Sequence, residues 1–131
     1  MDNSGKSALG LDPNVAAGLA YIPFCAVNLI MSIIILVTDK TNKLARFHAM
    51  QSLLLMGASI VGYIVVVILT MIIGVGAAAM NMPALASLGF LVLGVYGLAV
   101  LAAVVMSCIK AFTGEIFKLP VIGDMADKWS N

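Results

Sequence analysis

Charge is scarce in this chain: 10% of its 131 residues are Asp, Glu, Lys or Arg, while 63% are hydrophobic. An average soluble domain carries about 25% charged residues. So few charges cannot cover a water-soluble surface of this size, so lipid is the solvent for most of it. Seven cationic and six acidic side chains leave a formal net charge of +1. No basic field exists to hold a phosphate backbone, and nucleic acid is excluded as a partner.

Metal-ligating and nucleophilic groups are equally sparse. There is one histidine, and the two cysteines, Cys25 and Cys108, both lie in apolar stretches. They give neither a ligand set of usable spacing nor a disulfide framework, so no metal and no cofactor is expected. Paired aspartates, a Ser/His pair on rigid elements and a zinc motif are all missing, and Glu115, Asp124 and Asp127 read as solvated charges, so the chain is expected not to be an enzyme. A clustered positive n-region is also lacking in Met1-Asp2-Asn3-Ser4-Gly5-Lys6. The first apolar run is therefore expected to be an uncleaved anchor.

What the chain has instead is long apolar runs. About 20 such residues cross the roughly 30 Å of bilayer hydrocarbon. A polar tail over 1–14 precedes a transmembrane domain over 15–113, with spans expected near 15–38, 49–76 and 84–109. The fold class is an all-α integral membrane protein of about three transmembrane helices. Pro23 predicts a kink in the first span, because it removes one backbone hydrogen bond. Thr41 or Asn42 is suited to cap the second, and Asn81-Met82-Pro83 to make the turn into the third.

The tail over 114–131 mixes charge with large apolar residues. A helix starting near Pro120 would gather Val121, Ile122, Met125 and Trp129 on one face. That pattern predicts an amphipathic segment in the membrane interface, anchored by Lys110, Pro120 and Trp129. Cation counts near the spans, three in the 39–48 loop, none in the second loop, then Lys110 and Lys118, set the topology. They predict a multi-pass protein of the inner cell membrane with the N-terminus outside and both the 39–48 loop and the C-terminus cytoplasmic.

The densest local signal is Arg46-Phe47-His48-Ala49-Met50-Gln51-Ser52. On a helix, His48, Gln51 and Ser52 fall on one side and can share hydrogen bonds. Asn28, four residues before Ser32, is a second polar group that needs a partner in lipid. Small residues recur at four-residue spacing as Ala58 and Gly62 and as Ala99, Ala103 and Ser107, which suits close helix packing. Three roles fit these features. A structural or accessory subunit would pack against another membrane protein or itself. An oligomeric pore would run a polar route past His48, Gln51 and Asn28. A lipid-binding protein would use Arg46, His48 and the tail.

Three stretches carry a resemblance. They are Leu11-Asp12-Pro13-Asn14-Val15-Ala16-Ala17-Gly18-Leu19-Ala20-Tyr21, then Arg46-Phe47-His48-Ala49-Met50-Gln51-Ser52-Leu53-Leu54-Leu55, then Lys110-Ala111-Phe112-Thr113-Gly114-Glu115 with Leu119-Pro120-Val121-Ile122-Gly123-Asp124. They resemble a small, largely uncharacterised prokaryotic membrane-protein family related to the Tic20-like component of the chloroplast inner-envelope import machinery. The resemblance implies a compact helical membrane domain and assigns no catalytic residues. The plant relatives are implicated in protein import and are drawn with four spans, where three are counted here.

Overall fold

A computed structural model describes residues 5–22 and 26–131. Five helices follow in order: α1 Pro13–Leu19, α2 Val27–Thr38, α3 Lys43–Ala79, α4 Pro83–Phe112 and α5 Ile122–Ser130. Among the described residues α3 and α4 are the helices long and apolar enough to cross a membrane.

The first span is corrected. A single helix over 15–38 is replaced by α1 of 7 residues and α2 of 12, or about 10 and 18 Å at 1.5 Å per residue. Neither reaches across the hydrocarbon. The sequence supplies a reason for a break near here: Pro23 has no N–H to give the Leu19 carbonyl, which takes one rung from the helical ladder. Ile22 instead donates to Leu19, at 3.3 Å. The kink expected at Pro23 itself lies outside the described residues.

The other two spans lie inside longer helices. The first, expected over 49–76, is contained in α3, which begins six residues sooner because Asn42 caps it. The Asn42 Oδ1 accepts the Ala45 N–H at 3.2 Å. Asp39, which is buried, supports that cap by accepting the Asn42 N–H at 3.1 Å and the Thr41 N–H at 3.3 Å. Asn81, at φ +55, ends α3. The Met82 N–H returns to the Ala77 carbonyl at 2.9 Å, and Pro83 opens α4 with the backbone angle a first helical turn wants.

The chain divides into two compact units. One takes in the residues up to Met56 and those from Ala103 onward; the other is Gly57–Ala102. The second unit is a helical hairpin without a single charged residue. Its parts of α3 and α4, 57–79 and 83–102, measure about 35 and 30 Å, the thickness of the hydrocarbon layer. Along its seam Tyr96 Oη donates to the Ser59 carbonyl, and Thr70 Oγ1 lies 3.3 Å from the Gly89 carbonyl. Gly62 and Gly89 make that approach possible, since a Cβ on either would meet Tyr96 Oη at 2.7 Å or Thr70 Cγ2 at 2.8 Å. Ala58 and Ala99, expected in the packing ladders, are exposed in the single chain.

The first unit holds two small apolar cores. Ala16 of α1 and Ala20, which caps it, pack with Ile35, Ala45 and Ala49. Ala17 and Tyr21 pack with Leu44, Leu55, Ala111 and Leu119, and Ala103 and Cys108 lie against them. The alanines keep the thickness of α1 small enough to lie between the two.

This unit also ties the N-terminal segment to distant parts of the chain. The Ala8 N–H donates to Asp39 Oδ2 at 3.2 Å, and Asn14 Nδ2 to the Phe112 carbonyl at 3.0 Å. Residues 8 and 14 therefore lie beside the 39–48 loop and the end of α4.

Candidate functional site

Gln51, His48 and Ser52 emerge from one side of the first turns of α3, as their three- and four-residue spacing requires. All three are buried, as is Ser107 on α4. At their centre is Tyr21, which follows α1. Gln51 Nε2 donates to Tyr21 Oη at 2.9 Å and to the Phe117 carbonyl at 3.0 Å, and Gln51 Oε1 accepts the Leu119 N–H at 3.2 Å. His48 Nε2 lies 2.9 Å from the Glu115 carbonyl, and His48 Nδ1 lies 3.2 Å from Tyr21 Oη.

One proton assignment satisfies the whole network. A carbonyl can only accept, so Nε2 carries the imidazole proton and Nδ1 is the acceptor. Tyr21 must then donate its hydroxyl proton to His48 while its oxygen accepts from Gln51. Both amide protons and the amide oxygen of Gln51 are used. The rings reinforce this order: Tyr21 and Phe47 meet the His48 ring edge-on, with centroids 5.6 and 5.1 Å away.

The partners on the C-terminal side are Glu115, Phe117 and Leu119, two residues apart each time. Residues 115–119 run without helix, and in extended chain every second residue presents its backbone groups to the same side. A strap with no helical ladder thus finds its hydrogen bonds on side chains of α3.

Arg46 fastens two further ends. Its Nη1 donates to the Leu36 carbonyl at 2.9 Å and the Asp39 carbonyl at 2.8 Å, and its Nε to the Ser130 carbonyl at 2.7 Å. These carbonyls close α2 and α5. The last carbonyls of a helix lack partners and carry its negative dipole end, so one guanidinium caps both helices. Asn28 and Ser52 make a looser pair at 3.5 Å, with the Ser52 hydroxyl donating to the Ala20 carbonyl.

Charged groups on the strap are paired at the surface. Lys110 Nζ lies 2.8 Å from the Glu115 carboxylate and holds its pKa below the ordinary value. Lys118 Nζ lies 2.7 Å from Asp127, whose carboxyl is pushed down by that hydrogen bond while the Lys118 amine is raised by it. Stability from the depressed Asp127 is present above the usual carboxylate pKa, about 3.9, and is lost as pH falls through the folded value. Acidification below about pH 4 is therefore expected to loosen α5. Trp129 emission against pH should show that transition, and Asp127→Asn should abolish it.

α5 itself packs by its small residues. Gly123, Ala126 and Ser130 are buried, and a Cβ on Gly123 would lie 2.6 Å from Lys118 Cα and 2.8 Å from its carbonyl carbon. Backbone cannot step aside as a side chain can. Gly123→Ala is expected to cost on the order of 1–3 kcal/mol, read as a lower unfolding midpoint in detergent micelles.

The sequence-predicted residues thus divide. His48, Gln51 and Ser107 meet around Tyr21, with Gln51 Nε2 3.5 Å from the Ser107 hydroxyl, and Phe47 meets the His48 ring edge-on; Arg46 bonds separate helix ends, and Ser52 with Asn28 forms a separate pair. Trp129 is half exposed on α5. Tyr21, Asp39 and the backbone of 115–119 were not among the candidates. Tyr21 alone had a signal, a phenol in an apolar run that needs a partner. No three His, Cys, Asp or Glu side chains that could hold a metal ion come together among the described residues.

Residues 12–126 match the model of the magnetosome magnetite crystal formation protein family. The chain belongs to that family. It is also similar to two proteins of Methanocaldococcus jannaschii named UPF0132 membrane proteins. One is 32% identical over 126 residues, covering 96% of each chain. The other is 30% identical over 122 residues, covering 93% of this chain and 73% of the relative. A UPF0132 membrane protein of Archaeoglobus fulgidus is 30% identical over 115 residues, covering 88% of this chain and 92% of its own. No solved structure matches. The family is prokaryotic, membrane-bound and without an assigned role in these relatives' names, and the chain is a membrane protein like them.

Proposed function

We propose that this family member is a non-enzymatic structural or accessory membrane subunit. Its uncharged hairpin over 57–102 anchors it, and its other unit is a clasped body that packs beside further membrane proteins. One observation carries the reading: the polar groups of the 46–52 segment are spent on the chain's own backbone and on Tyr21, while the hairpin exposes apolar side chains throughout. A pore would need His48 and Gln51 turned to a shared route, and their engagement favours the subunit over the pore. The name of the family ties relatives to magnetite crystal formation, and a membrane-held scaffold is the part in such a process that this chain's groups suit. The resemblance to Tic20-like components points to the same kind of role, a small helical subunit among others.

In this reading α3 and α4 make two spans rather than three, and α1 and α2 stay on one side of the inner cell membrane. The 39–48 loop, the segment around Ala8 and the C-terminal strap all face the cytoplasm, as the cations Lys40, Lys43 and Arg46 favour. Purification of the natively expressed protein in nanodiscs, followed by native mass measurement, tests the role. A complex with a defined second membrane protein is the expected result. A lone homo-oligomer that conducts ions in liposomes would overturn it.

A further inference from the structure

An amphipathic helix packed on a folded body ordinarily buries its large apolar side chains. α5 does the opposite. Gly123, Ala126 and Ser130 face inward, whereas Val121 is 74% exposed, Trp129 52% and Met125 37%. Met125 and Trp129, four residues apart on α5, form one outward apolar face, and Val121 adds its exposed side chain from the turn just before the helix. Two fixtures keep it outward: the Gly123 backbone seated on Lys118, and the Arg46 guanidinium on the Ser130 carbonyl.

Val121 shows the same arrangement under strain. Its φ of +65 and ψ of −55, with the Ile122 N–H returning to the Pro120 carbonyl at 2.7 Å, form a tight γ-turn that a β-branched residue rarely adopts. That turn presents one of the most exposed apolar side chains of the chain to the outside. Strain of this kind persists where the surroundings enforce it.

We propose that the Val121, Met125 and Trp129 face of α5 is a docking surface for the headgroup and acyl boundary of the chain's own bilayer. Three features select this occupant. Only ten residues of α4, about 15 Å of helix, separate Ala102 at the end of the spanning hairpin from Phe112, where α4 ends, so the chain has no long linker that would carry α5 away from a bilayer surface. Trp is the side chain that settles at headgroup depth. Lys128 borders the same face and has no ion-pair partner among the described residues, so its amine is free for lipid phosphate while its stem covers apolar surface. Asp127, by contrast, is held by Lys118 and Lys43.

Trp129 is the chain's single tryptophan, so its emission in the unaltered full-length protein reports the face directly. The protein is reconstituted into vesicles of mixed zwitterionic and anionic phospholipid, and flotation first shows that the chain is in the bilayer, which separates a failure of this proposal from a failure of the membrane anchor. The lipids then carry bromine either close to the headgroup or near the chain end. Quenching by the shallow bromines at least about two-fold stronger than by the deep ones, with poor access for aqueous iodide, is the expected result. Ready quenching by iodide with none by bromine would place the face in water and overturn the proposal. Emission that ignores bromine but varies with the protein-to-lipid ratio would show a second copy on the face and overturn it equally.

Discussion

Replacing Gln51 with leucine is expected to lower the stability of the micelle-held protein by about 4 kcal/mol, an effect set by what the change leaves behind. The amide gives two protons, to Tyr21 Oη and the Phe117 carbonyl, and takes one from the Leu119 N–H. Leucine fills a similar volume and satisfies none of them. Each buried polar atom left without a partner costs about 1–3 kcal/mol, and two are created together, the Phe117 carbonyl and the Leu119 N–H, while Tyr21 Oη keeps its bond to His48 and loses one donor. The strap over 115–119 should then open, and trypsin should cut after Lys118 in the variant far faster than in the parent. Gln51→Glu separates the two sides of the amide: it keeps an acceptor for Leu119 and loses the donors for Phe117 and Tyr21, so it should be nearly as damaging to stability while leaving Leu119 bonded.

Arg46→Ala is expected to cost about 3 kcal/mol, because three charge-assisted bonds end at once. The loss should appear at two places. Leu36 and Asp39 close α2, and Ser130 closes α5, so helical signal and Trp129 emission should both change. Lysine in the same place offers one point charge where the guanidinium spans two helix ends, and Arg46→Lys should recover less than half of the difference. If the alanine variant unfolds at the midpoint of the parent, Arg46 does not hold these ends.

The sequence was legible where physics is local. The uncharged stretches over 49–76 and 84–109 had to be lipid-facing helices, and α3 and α4 contain them. Asn42 and Asn81-Met82-Pro83 signalled a cap and a turn through their own side-chain and backbone chemistry. The Arg46 to Ser52 segment announced a polar cluster because its spacing is a property of one helix.

Illegible parts depend on distant partners. An uncharged run over 15–38 has the composition of a span, and only the missing N–H of Pro23 hinted that it divides. Charge counting had no means to bring the N-terminal segment beside the 39–48 loop, because the Ala8 and Asn14 bonds join residues far apart in sequence. Nothing in residues 115–119 marks them as a strap, since their contribution is backbone, which every residue carries alike. The inward face of α5 was likewise hidden: Gly123 reads as a weak helix former, whereas its lack of a side chain is what lets the helix rest on Lys118.

The account rests on the cluster around Gln51 being a clasp that holds the strap. Hydrogen exchange of the Leu119 amide in the bilayer-reconstituted protein tests that most directly, because its partner is a side chain sixty-eight residues away in sequence. Slow exchange at Leu119, beside fast exchange at Lys118, that becomes fast at both in Gln51→Leu and stays slow at Leu119 in Gln51→Glu is the predicted result. Leu119 exchanging as fast as Lys118 in the unaltered protein would contradict it.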